Sequence, residues 1–258
     1  MQGWSAVQTG DGSWTLRHPG HNEACHSLAG AWQESVERYA QPCRLAELAA
    51  QRSGASVRLL DVGTGVALNL AAARAALAGS GARLEALTLE IDLDVIALAC
   101  VLPAVPPEEG IGLAELRAAL SRAAREGGGA FELEERPLAC AARIELALGD
   151  ARDASALARG AQLWDAVFLD PFSPRVDGAL WELDFVQRIA ASMAPHAVLS
   201  TYSSAIRVRR ALASAGLRLG RGPRVATKSS GTLASWGAEL PPLEGREARK
   251  ALPRSKPA

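Results

Sequence analysis

Residues 57–70 read VRLLDVGTGVALNL, and the way an apolar run gives out there onto two glycines decides the fold. The run ending at Val62 is short and bounded by turn residues, so it reads as a buried strand. Gly63 and Gly65 let the backbone turn tightly and come close to a ligand. The alanine-rich stretch VALNLAAARAAL, residues 66–77, then reads as a helix. Strand, glycine turn and helix in that order open a doubly wound α/β sheet, in which ligands bind at the carboxyl ends of the strands.

Outward from this unit the same alternation continues, which predicts a mostly parallel sheet. RLEALTLEI, RIELALGD, WDAVFLD and HAVLSTY read as strands. DLDVIALACV, LWELDFVQRIAASMA and AIRVRRALASAG read as the helices between and after them. LRLGRG and GTLASWG would close the sheet as an antiparallel pair, giving seven strands in all. AELRAALSRAARE is a helix within an insertion at about 103–135, flanked by PAVPPEEG and GGG. Before the core, Asp11-Gly12 predicts an N-terminal hairpin within residues 1–30. AWQESVERYA and CRLAELAAQR are helices interrupted near Pro42. The core runs over 31–237, and the Pro-, Glu- and Lys/Arg-rich stretch 238–258 reads as a mobile basic tail.

Composition narrows the class. The chain has 258 residues, 48% hydrophobic and 22% charged, which suits one large globular α/β domain. No apolar run reaches the ~18 residues of a membrane span, and MQGWSAVQTGDGSW lacks the pattern of a signal peptide, so a cytoplasmic location is expected. Cys25, Cys43, Cys100 and Cys140 are scattered, as reduced thiols are. His18, His21, Cys25 and His26 fit no standard zinc spacing, and no metal is expected. Formal net charge is zero, yet residues 205–258 carry twelve basic and three acidic groups, while 1–204 carry sixteen basic and twenty-five acidic ones. Such asymmetry suits a polyanion, or else a solubilising tail.

Acids at the strand ends carry the chemistry. A dinucleotide fingerprint would place a third glycine at position 68, where Leu68 stands. Asp61-Val62-Gly63-Thr64-Gly65 without it resembles the turn of S-adenosyl-L-methionine (SAM) methyltransferases. Glu90 closes the second strand, where a carboxylate can accept two ribose hydroxyls, and Asp150 closes the neighbouring strand, where one can accept from an adenine amino group. Each is also an ordinary helix N-cap position. Asp170 ends WDAVFLD before Pro171, at the place that would manage the methyl acceptor; a solvated turn aspartate is the alternative.

At this point the chain resembles a family, the methyltransferase domain of the bacterial tRNA 5-methylaminomethyl-2-thiouridine biosynthesis enzymes (MnmC/MnmD type). The resemblance covers most of residues 10–236 and rests on WDAVFLDPFSP, Trp181, STYSSAIRVRRALASAGL, GTGVALNL with Asn69, Glu90 at the acidic ribose position, and EACHSLAGAWQES. It implies a Rossmann-like class I SAM-dependent methyltransferase that acts on the amine of 5-aminomethyl-(2-thio)uridine at the tRNA wobble position. SAM would be held by Asp61, Gly63, Thr64, Gly65, Asn69, Glu90 and Asp150. Asp170 would bind and deprotonate the amine, and Phe172 would stack on the uracil. Tyr202, Ser203 and Ser204 would line the acceptor pocket, which the segment containing Glu23 and His26 helps to shape. One of the serines reads equally as a helix cap. Arg207, Arg210 and Lys228 would grip phosphates of the anticodon loop, whereas Arg209 points elsewhere along its helix.

The sequence departs from the family at Asp177-Gly178, where an Asn-Pro turn is usual, and in the thinned basic segment RVATKSSG. The flavin domain of many members has no room here, so a stand-alone methyltransferase is expected. The rivals are a SAM-dependent methyl or aminopropyl transferase for a small amine or a protein, and a non-catalytic RNA-binding module of the same fold.

Overall fold

The computed structural model describes residues 3–104, 107–153, 157, 163–225 and 230–251. β3 (Ser56–Val62), β4 (Arg83–Glu90), β6 (Ala142–Leu148), β7 (Trp164–Leu169) and β8 (Met193–Thr201) are parallel. With β5 (Gly129–Leu133), β9 (Arg218–Arg221) and β10 (Thr232–Ser235) they form one sheet in the order β5-β6-β4-β3-β7-β8-β10-β9. The chain starts in the middle, fills one side through β4 and β6, then crosses to β7. The switch point therefore lies between β3 and β7, where Gly63 and Asp170 leave adjacent strands. All six residues of β7 are buried, as a strand covered by helices on both faces requires.

Eight strands stand where the sequence predicts seven. The additional one is β5, the end of the insertion, which pairs antiparallel with β6 at the sheet edge. Its GAFEL pattern alternates exposure in the way a half-covered edge strand does. The rest of the insertion, α5 (Pro107–Arg125), covers the sheet. Its buried Arg117 donates from Nε to the Val66 carbonyl at 3.0 Å and so braces the glycine turn from behind.

The N-terminal hairpin, β1 (Ser5–Gln8) and β2 (Trp14–Arg17), forms a separate sheet. Its turn caps the first helix across space: the Asp11 carboxylate accepts from Gln33 N at 2.9 Å, and Thr9 and Ser13 hydroxyls accept from Ala31 N and Trp32 N. That helix, α1 (Ala31–Glu34), supplies no side-chain cap of its own and widens into a π-helical turn over Ser35–Ala40. α2 (Leu45–Gln51), α3 (Leu68–Ala76), α4 (Leu93–Ala99), α6 (Leu183–Ala191) and α7 (Ile206–Ser214) complete the layers at the positions expected.

The mobile tail expected from residue 238 is corrected as far as residue 251. Arg221 N donates to Pro241 O at 2.7 Å, and α8 (Gly245–Ala251) lies on α7. Arg209 pairs with Glu247 at 3.3 Å and Arg210 Nε donates to Lys250 O at 3.0 Å. A helix seated largely by charged contacts shows little apolar stripe, which is why its composition reads as tail. Residues 252–258 lie outside the described residues. Among the described residues no helix is long and apolar enough to cross a membrane.

Candidate active site

A cavity of about 740 Å³, ample for a nucleoside-sized ligand, opens at the carboxyl edge of the sheet. Its floor is the glycine turn. Gly63 has φ +96°, and a Cβ there would lie 2.6 Å from the Asp170 carbonyl oxygen, so only glycine lets β3 and β7 leave the sheet side by side. Glu90 stands on one wall. Its carboxylate accepts from Gly65 N at 2.9 Å, Ile91 N at 2.9 Å and Asp92 N at 3.0 Å. Burial raises its pKa above the ordinary value despite these bonds. Asp150 lies further along the same wall, clasped by Arg152, which lowers its pKa. Leu89, Val95 and Ala151 give the wall an apolar surface, and Ile91, 71% exposed, continues it at the rim.

Three predicted cofactor contacts, Asp61, Thr64 and Asn69, are corrected. Asp61 and Thr64 are fully buried behind the wall and do not line the cavity. Asp61 is paired in register with Thr88, whose hydroxyl donates to Asp61 Oδ2 at 2.8 Å and meets the Thr64 hydroxyl at 2.6 Å. The three side chains brace the turn from beneath. Burial pushes the Asp61 carboxyl well above the usual range.

The opposite wall carries Asp170. The Tyr39 hydroxyl donates to its Oδ1 and Asn69 Nδ2 to its Oδ2, the latter at 2.8 Å. Asn69 is thus buried beside Asp170 and does not line the cavity. Tyr39 comes from the π-helical turn; burial first, then the Asp170 charge, push its pKa far up, so the phenol stays protonated as a donor. The loop after Asp170 is held by its carbonyls: the Tyr202 hydroxyl donates to Pro171 O at 3.0 Å and Trp181 Nε1 to Phe172 O at 2.9 Å.

The N-terminal segment forms the roof. Glu23 accepts from Ser173 N at 3.1 Å and Ser173 Oγ at 2.6 Å, latching the segment to the acceptor loop. Buried His26 lies 3.4 Å from the Thr15 hydroxyl, and its Cε1 would meet a Gly65 Cβ at 3.7 Å. Trp4 donates from Nε1 to Asp92 at 3.1 Å. The rings of Trp4, His18, His21 and Phe172 cluster at the mouth. His18 and His21 stack with centroids 4.2 Å apart. Burial first, then the neighbouring His21, hold the His18 pKa below the ordinary value, with Asp92 opposing.

The structure therefore brings Glu23, His26, Gly63, Gly65, Glu90, Asp150, Asp170, Phe172 and Tyr202 to one cavity. Ser203, Ser204, Arg207 and Arg210 do not line it. Ser203 is buried and its Oγ accepts from Ala205 N at 3.4 Å, a local turn leading into α7. Arg207 is exposed on α7, and Arg210 is engaged with α8. Arg209, which points elsewhere along its helix, is buried, and its Nε donates to Thr232 Oγ1 at 3.0 Å. Lys228 lies outside the described residues. Tyr39 and Trp4 were missed. Nothing local marks either one, because their partners are distant in sequence.

Comparison with known proteins now adds to this geometry. A family model described as S-adenosyl-L-methionine-dependent methyltransferase matches residues 129–236. The crystal structure of MnmC2 from Aquifex aeolicus superposes with a TM-score of 0.79 at 32% identity, covering 97% of this chain and 76% of that one. The chain belongs to the MnmC-type methyltransferases. An uncharacterized protein of Methanocaldococcus jannaschii is 29% identical over 229 residues, 88% of this chain and 58% of that protein. A tRNA 5-methylaminomethyl-2-thiouridine biosynthesis bifunctional protein of Caulobacter sp. (strain K31) is 40% identical over 82 residues. That match takes in 32% of this chain and 13% of the relative, so the chain spans well under two thirds of these curated relatives. An MnmC-type methyltransferase uses SAM, and the cavity fits it: a close-approach glycine turn, an apolar wall and carboxylates at the strand ends beside it.

Proposed function

We propose that this MnmC-type enzyme methylates the primary amine of 5-aminomethyl-(2-thio)uridine at the wobble position of tRNA. The observation that carries the reading is Asp170, held on both oxygens at the switch point and facing the cavity beside Phe172. SAM, when bound, supplies an electrophilic methyl on a sulfonium. Asp170 accepts an N–H of the substrate amine and turns its lone pair toward that methyl. Tyr39 and Asn69 each occupy one carboxylate oxygen, which fixes the rotamer of the group that takes the proton. Phe172 offers a face for the uracil, and Tyr202 and Trp181 hold the loop that carries it. The basic excess of residues 205–258 supports a polyanionic substrate, with exposed Arg207 among the groups available to phosphates.

The test is methyl transfer from labelled SAM to tRNA carrying 5-aminomethyluridine, with the product located by nucleoside mass spectrometry. Wild type is expected to label the wobble uridine. Asp170→Asn is expected to bind SAM normally and to turn over roughly 10²–10⁴-fold more slowly. SAM binding without labelled tRNA would overturn the substrate, and the same assay with decarboxylated SAM or a small amine would identify the rival transfer.

A further inference from the structure

The rings clustered at the mouth line the cavity. Trp4 and Phe172 lie 29° from parallel with centroids 6.2 Å apart, and the His18 ring stands nearly perpendicular to both, at 78° and 75°. Two large apolar rings thus face the cavity half-exposed, with a third ring across them. A planar ring sandwiched between two others needs about 7 Å, twice the ~3.5 Å carbon–carbon contact distance. The 6.2 Å between the Trp4 and Phe172 centroids is that of an aromatic pair, so a base enters between the rings as Trp4 moves away from Phe172. Trp4 is tethered through Asp92, on the loop after β4, and Phe172 through its own carbonyl to Trp181. The two rings are therefore held from different elements around the cavity. Asp92, which accepts from Trp4, and Asp170 line the same cavity, which suits a flat ring bearing a cationic substituent.

We infer that Trp4 and Phe172 form a slot for the substrate's nucleobase, with Trp4 covering the face that Phe172 leaves open and His18 closing one edge. The inference rests on the proposed substrate and adds to it the residue, remote from the motifs, that clamps the base. The slot selects a planar heterocycle and presents its aminomethyl arm to Asp170.

Trp4→Ala and Trp4→Phe test it. In tRNA methylation, Trp4→Ala is expected to raise KM by roughly 5- to 150-fold, the loss of one base stack, with SAM affinity by calorimetry unchanged. Trp4→Phe is expected to recover most of the loss. Free 5-aminomethyluridine is expected to quench tryptophan emission in wild type and much less in Trp4→Phe, a difference that isolates one of the six tryptophans. An unchanged KM in Trp4→Ala, or quenching that survives in Trp4→Phe, would overturn the slot while leaving the proposed function standing. Quenching without methylation of tRNA would keep the slot and remove the wobble-uridine substrate.

Discussion

Glu90 and Asp170 each end a parallel strand at the same edge of one sheet, yet they are held in different ways. Glu90 accepts from backbone amides at sequence separations of 25, 1 and 2. Asp170 accepts from two side chains, Tyr39 at a separation of 131 and Asn69 at 101. The cofactor wall is thus made by local chain geometry, and the acceptor wall is assembled from distant helices and a separate hairpin. The first needs only glycines and an acid in the right order. The second needs particular side chains to arrive from elsewhere, so it can change its substrate without disturbing the sheet.

Gly63→Ala breaks both walls at once and should have the largest effect. The positive φ and the 2.6 Å approach to Asp170 O together should lower stability by about 3 kcal/mol or more, a Tm drop of roughly 10 °C, with SAM binding and turnover both lost. Thermal melts and calorimetry measure the two. A paired comparison then separates the walls. Glu90→Gln should weaken SAM roughly 10- to 100-fold, as loss of charged hydrogen bonds predicts. Glu23→Gln should leave SAM affinity within about 2-fold, since its partner is Ser173 on the acceptor loop. It should raise the tRNA KM by about 5-fold, as expected for one weakened charge-assisted bond. If both variants moved the same parameter, the division into walls would fail.

The smallest effect concerns the anchor of the roof. Asp11 is pushed up by burial, but hydrogen bonds from Gln33 N, Ser13 and Thr9 outweigh this and leave its pKa below the ordinary aspartate value. A depressed carboxylate adds stability that is complete above its unfolded pKa and is lost as pH falls through the folded one. Asp11→Ala should cost about 1 kcal/mol near pH 7, the value of a helix cap, and the cost should fade below about pH 4. Urea unfolding at pH 7 and pH 3 checks both the size and the sign.

What could be read from the sequence follows the same division. VRLLDVGTG, the acids at 90, 150 and 170 and the Pro-rich break after Asp170 are local patterns, and strand ends and turns obey local sterics. Asp61 and Thr64 were misplaced because a motif gives order along the chain but not which way a side chain faces; Asp61, in register with Thr88, and Thr64, bonded to the same hydroxyl, both turn inward. Tyr39 sits in a helix that reads as ordinary core, and only the widened π turn aims it at Asp170. Arg210 looked available because the partner helix at 245–251 has no hydrophobic signature.

The latch between Glu23 and Ser173 closes a loop of 150 residues, and that between Trp4 and Asp92 one of 88. Loop-closure entropy must be met before such contacts return any energy. The hairpin, first along the chain, therefore finds its final seat only after β7 and its loop exist. The sheet's own pairings do not involve the hairpin, and the wall that carries Asp170 is completed when the hairpin segment docks. In hydrogen exchange this order should survive as rank: amides of Ser5–Gln8 open at low free energy while those of Leu59–Val62 wait for global unfolding.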